Sequence, residues 1–147
     1  MTTTAPTVNG RVIGLAHYAG RAVLERVLAR HGATFQQQIT LRPLAAAQGP
    51  VGRKALVVQV AGDLKVGVAD VEGVVEELIT KGLAASDASE VWVTDPGRDF
   101  HTQVSAETGE ISARIYAGIP AEELAAAGRV LAQVTERADR ELAALPA

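Results

Sequence analysis

The apolar positions of this chain fall at helical spacing over most of its length. Within residues 8–31, Val12, Leu15, Ala16, Ala19, Val23 and Val27 form one stripe, and Ile13, Leu24 and Leu28 widen it to almost all sides. A helix apolar around so much of its circumference needs partners on two sides. Gly32 follows in the position that accepts positive φ after a helix end. Thr34 caps a second helix, TFQQQITLRPLAAAQ, with Phe35, Ile39 and Leu41 or Leu44 turned inward and a kink expected at Pro43. The GPVG run, Gly49 to Gly52, reads as a loop. A third helix, Arg53 to Leu64, brings Leu56, Val57, Val60, Ala61 and Leu64 to one side.

After the short turn KVGV, the stretch DVEGVVEELITKGL repeats its apolar residues at i, i+3, i+4, i+7 and i+8 (Val71, Val74, Val75, Leu78, Ile79) and stops at Gly82. Residues 83–94 then change period. A polar tip near Asp87 to Ser89 precedes Val91, Trp92 and Val93, the pattern of a two-stranded hairpin. Thr94 or Asp95 caps a fifth helix with Pro96 in its first turn. Thr108-Gly109 interrupts it, so a β-hairpin over residues 100–116 is the alternative. Pro120 opens a last helix to Leu145, whose Leu124, Ala127, Leu131, Val134, Ala138, Leu142 and Leu145 alternate at three and four, the seam of a helix lying lengthwise on another.

Composition narrows this picture. With 147 residues, 48% of them apolar and only 3% aromatic, the chain reads as one mainly α-helical subunit preceded by a disordered tail over residues 1–7. MTTTAPTVNG lacks the regions of a signal peptide and no apolar run reaches membrane length, so the expected location is cytoplasmic, with no membrane partner. The absence of cysteine excludes disulfides, thiol redox sensing and cysteine zinc sites. Three histidines without paired spacing give no metal site, and no phosphate-cradling, nucleophile-elbow or dinucleotide motif supports catalysis or a cofactor. The net charge of −3 hides an asymmetry, because residues 1–54 carry +6 and residues 55–147 carry −9. A polyanion would meet the first third of the chain, unless those bases are simply solvated helix faces.

At VAGDLKVGVADVEGVVEELITKGL the chain resembles the helix-turn-helix of the MarR family of winged-helix transcription regulators. Val60-Ala61-Gly62-Asp63-Leu64 is similar to the family's LAxxL helix end, and Lys81-Gly82-Leu83 to its RGL or KGL. Val93-Thr94-Asp95-Pro96-Gly97-Arg98 is similar to its LTxxGR signature, and TFQQQITL to the start of its second helix. The resemblance implies a winged helix-turn-helix of six helices with a small β-hairpin wing. Residues 34–94 would form the DNA-binding lobe, and residues 8–31 and 96–145 would supply the helices of a homodimer. It implies a repressor of palindromic double-stranded DNA that is released by a small anionic ligand.

The sequence departs from that pattern where DNA would be read. Asp70, Glu72 and Gly73 occupy recognition positions, and four acids line one helix; carboxylates repel phosphate, although they accept from cytosine N4. The hairpin is short, and its tip lacks the arginines that enter a minor groove. Arg53, Lys54, Lys65 and Arg98 remain as phosphate contacts, or as ordinary surface charges. In the first helix, His17 and Arg21 share a face with Tyr18 beside them. The three are the candidate carboxylate site, the alternative being pairing with acids across the dimer. A dimeric ligand- or protein-interaction module that has lost DNA affinity is the second functional reading.

Overall fold

The computed structural model describes residues 4–147. Of the expected N-terminal tail, residues 1–3 lie outside the described residues and residues 4–7 have no regular secondary structure, as have residues 8 and 9, at the expected start of the first helix. Six helices follow in order: α1 Gly10–Arg30, α2 Phe35–Ala46, α3 Arg53–Leu64, α4 Val68–Thr80, α5 Asp95–Tyr116 and α6 Ala121–Ala144. Three short strands, β1 Val51–Gly52, β2 Ala84–Ser86 and β3 Glu90–Val93, form an antiparallel sheet in the order β1-β3-β2. The chain forms two compact units, one ending at Glu110 and the other Ile111–Ala147, and α5 begins in the first and ends in the second.

The first unit is built from the helix ends that the sequence marks. Asn9 Oδ1 accepts from Val12 N at 2.9 Å to start α1. At its end Gly32, with φ of 68°, lets Gly32 N and Ala33 N bond back to the carbonyls of Ala29 and Leu28. Thr34 and Gln37 form a reciprocal capping box on α2, which continues through Pro43 to Ala46. Lys65, in the left-handed conformation at φ 58°, closes α3, and Gly82, at φ 75°, closes α4.

The core gathers one face of each element. Leu28 of α1, Leu41 and Leu44 of α2, Leu56, Val57 and Val60 of α3, and Val71, Val75 and Leu78 of α4 are all at most 3% exposed. Ala84 and Val91 bring the sheet onto this core, and Phe100 and Val104 bring α5. The inward faces expected of α3 and α4 are those observed, and both Leu41 and Leu44 point inward.

Three expectations change. Val51 and Gly52 are not loop but β1, paired with Val91 and Glu90, so the wing hairpin belongs to a three-stranded sheet with β3 at its centre. A two-residue strand has no alternation for a sequence pattern to show. The helix α4 starts at Val68 instead of within DVEG, so the last residue of the KVGV turn is already helical. The hairpin alternative over residues 100–116 is replaced by continuous helix, in which Thr108 Oγ1 donates to Val104 O at 2.8 Å.

The hairpin turn lies where the polar tip placed it. Asp87 Oδ1 accepts from Ser89 N at 3.0 Å and Glu90 N at 2.8 Å, and these backbone bonds hold its carboxyl below the usual carboxylate range.

The junction of wing and α5 explains the TDPGR stretch. Thr94 N donates to Leu83 O, Thr94 Oγ1 donates to Gly82 O at 2.6 Å, and the same oxygen accepts from Gly97 N at 3.1 Å. Gly97 is buried, and a Cβ there would lie 1.9 Å from Leu83 O. Only glycine lets α5 begin this close to the backbone that ends α4.

In the second unit, Gly118 at φ 80° turns the chain between the end of α5 and α6. The seam expected of α6 stays open. Leu124, Leu131, Val134, Leu142 and Leu145 are 37–64% exposed. Among the described residues no helix is long and apolar enough to cross a membrane.

Candidate functional site

The helix-turn-helix consists of α3, the turn around Lys65 to Gly67, and α4, with β2 and β3 as the wing. Its charged side chains engage one another in a way the sequence does not show. Arg53, at the start of α3, donates from Nε and Nη2 to Glu72 Oε2 at 3.1 and 3.0 Å, and from Nη2 to Glu76 Oε1 at 2.6 Å. The bond to Glu76 outweighs desolvation and, with Glu72, raises the pKa of the guanidinium further above its ordinary value. Two carboxylates of α4 thus face one of the two bases, Arg53 and Lys54, expected to anchor α3 on phosphate.

The other positions behave differently. Lys65 Nζ donates to Gly62 O at 2.8 Å. Lys54 is exposed and has no side-chain partner among the described residues, and the same holds for the Arg98 side chain. Asp70 is exposed in the first turn of α4, and an added Cβ at Gly73 would meet nothing within 4 Å.

Lys81, the one base on α4's end, is committed to the fold. Its Nζ donates to Gly32 O and, at 2.9 Å, to Gln37 Oε1, while Gln37 Nε2 donates to Glu77 Oε2 at 2.9 Å. The buried Gln37 side chain therefore joins α2 to α4, and Lys81 ties both to the end of α1.

On α1, Arg21 Nε donates to Glu25 Oε1 at 3.0 Å, and the guanidinium stacks over Phe35 with its carbon 4.1 Å from the ring centroid. His17 and Tyr18 are exposed, with ring centroids 6.0 Å apart in an edge-on arrangement. The partner of Arg21 is thus an acid of its own helix, and its Nη donors are left over for a further carboxylate.

One cluster was missed in the sequence. Burial, and after it the positive charges of Arg42 on α2 and Arg98 on α5, lower the pKa of His101. His101 Nδ1 is buried without a partner. Arg98 stands one helical turn before His101 on α5, but Arg42 lies on α2, so no local spacing announces its approach. Because the folded state resists protonation of His101, its contribution to stability is complete above the ordinary value of 6.5 and is lost as pH falls below it. His101→Gln is expected to flatten the fall in Tm between pH 7 and pH 5, as measured by thermal unfolding. Among the described residues no group of three His, Asp or Glu side chains is arranged to hold a metal ion.

No protein-family model matches this sequence, and a search of curated proteins finds no match. Solved structures do match. A MarR from Staphylococcus aureus, in complex with salicylate and kanamycin, is 16% identical with a TM-score of 0.75, covering 89% of this chain and 90% of that one. CouR from Rhodococcus jostii RHA1, bound to p-coumaroyl-CoA, is 17% identical with a TM-score of 0.72, covering 85% and 89%. A MarR-family transcriptional regulator from Rhodococcus sp. RHA1 is 18% identical with a TM-score of 0.71, covering 85% and 90%. The helix order, the helix-turn-helix and the small antiparallel sheet agree with these matches, and this chain has the winged helix-turn-helix fold of the MarR-family transcriptional regulators.

Proposed function

We propose that this protein is a homodimeric, DNA-binding transcription regulator, a repressor that a small anionic ligand releases. The observation that carries the reading is a helix-turn-helix and wing with two unpaired bases, Lys54 on α3 and Arg98 at the start of α5 just after the wing, positions from which both bind phosphate. The open apolar seam of α6 is a surface that a second copy covers. Lys65 adds a phosphate contact, and Asp70, Glu72 and Gly73 lie at the base edges, where the acids favour cytosine. Selection from a randomised duplex library at low salt tests this. It is expected to enrich a palindrome with half-sites about 10 base pairs apart. Failure to enrich any sequence counts against the reading.

The anionic ligand is assigned to His17, Tyr18 and Arg21. Phe35 holds the Arg21 guanidinium in place and leaves its remaining donors for a carboxylate. Salicylate, the ligand of one structural neighbour, is a suitable first probe. It is expected to raise the Tm of the protein and to lose that effect in Arg21→Ala. Equal shifts in both proteins would remove this assignment.

One observation favours a second reading, a dimer that binds a small molecule or protein in place of DNA. Arg53 is neutralised by Glu72 and Glu76, and Lys81 is occupied within the fold. The same selection decides between the two.

A further inference from the structure

A cleft of about 390 Å³ lies between α2 and α4, distinct from the anionic-ligand site on α1. Leu64, Val71 and Val74 give it an apolar floor, and Asp70 and Glu77 stand on its α4 side. The two carboxylates are seven residues apart on one helix, hence on one face and about 10 Å apart along its axis. Glu77 Oε2 accepts from Gln37, while the Asp70 carboxylate has no partner among the described residues. A further polar group lines the cleft. Thr40 is fully buried, and its hydroxyl makes no hydrogen bond. A buried hydroxyl without a partner is uncommon in a folded protein.

We infer that this cleft binds a linear aliphatic diamine. Each end of such a molecule places an ammonium against one carboxylate, the methylene chain covers Val71, Val74 and Leu64, and the Thr40 hydroxyl gains a polar neighbour. The spacing of Asp70 and Glu77 suits a chain of roughly six carbons. An anionic effector is excluded from the same cleft by the two carboxylates, so the two ligand classes do not compete. Bound there, the dication cancels two of the four carboxylate charges on α4. On the DNA-binding reading it therefore assists DNA association; its own binding does not rest on that reading and is measured without DNA.

Isothermal titration with 1,6-diaminohexane at low salt is expected to show saturable binding of one molecule per chain. Asp70→Asn and Glu77→Gln should each weaken it about ten-fold, the worth of one charge-assisted hydrogen bond. Hexylamine, with a single ammonium, should be weaker by a similar factor, and Thr40→Val should weaken binding while Glu76→Gln, outside the cleft, leaves it unchanged. Thermal unfolding of each variant confirms that it is folded. No saturable heat overturns the inference. So does a loss in Glu76→Gln equal to that in Asp70→Asn, which marks general attraction to an acidic surface, and so does hexylamine binding as tightly as the diamine.

Discussion

Gly97→Ala is expected to destabilise the protein by about 3 kcal/mol, the upper part of the range for forcing a methyl into filled space. The added Cβ would sit 1.9 Å from Leu83 O and 2.9 Å from Val93 Cγ2, and the oxygen belongs to backbone that also accepts the Thr94 amide. Relief requires the first turn of α5 to move off the wing, which breaks the Thr94 bonds to Gly82 and Gly97. A loss of this size corresponds to roughly 10 °C in Tm for a chain of this length. Gly73→Ala is the internal control. It lies mid-helix in α4 with nothing within 4 Å of an added Cβ, so it should raise stability by about 0.5–1 kcal/mol through helix propensity. Thermal or urea unfolding of the two variants checks both signs. Equal effects would mean that the close approach of α5 to the wing is not what fixes this glycine.

The double variant Glu72→Gln, Glu76→Gln is expected to bind duplex DNA more tightly than the native protein, by about ten-fold or more at low salt. In the native chain the Arg53 guanidinium is held within 2.6–3.1 Å of both carboxylates, and the pair of acids exceeds its single charge. Replacing them by amides keeps hydrogen-bond acceptors near Arg53, removes two negative charges from the helix that the proposed function places at the groove, and frees the guanidinium for a phosphate. The gain should shrink as salt rises, because the added attraction is screened and works through counterion release. The cost to folding should be small, since partly exposed ion pairs contribute about 1 kcal/mol or less. Arg53→Ala should act in the opposite direction, leaving both glutamates uncompensated and weakening DNA binding. Anisotropy titrations at several salt concentrations separate these cases. If the double variant binds no more tightly than the native chain, α4 does not enter the groove.

The elements were legible where burial imposes a period. The faces of α3 and α4, the glycines that end α1 and α4, and the turn at Asp87 all follow from spacing or from residue chemistry that acts locally. The strand β1 was not legible, because two residues carry no alternation, and its pairing is set by β3 some forty residues later. The course of α5 through Thr108-Gly109 was open in the sequence, since a local turn signal there competes with helical continuation on both sides.

The candidate site divides in the same manner. The acidic character of α4 and the scarcity of basic residues on the wing are visible residue by residue. That Arg53 is the partner of those acids, that Lys81 is spent on Gln37 and Gly32, and that Arg42 of α2 reaches His101 of α5 are properties of the folded chain. These pairings shift the expected DNA interface away from Arg53 and towards Lys54 and Arg98.

Whether this fold binds DNA through Lys54 and Arg98 is decided by the affinity of the purified protein for a duplex selected at low salt, compared with that of the double variant Lys54→Ala, Arg98→Ala. The native protein should bind specifically and weaken steeply as salt rises. The double variant should bind more weakly, its salt slope shallower by about one for each phosphate-neutralising side chain removed. Affinity and slope unchanged by the double variant, or no duplex bound at low salt, would contradict DNA binding through these two side chains.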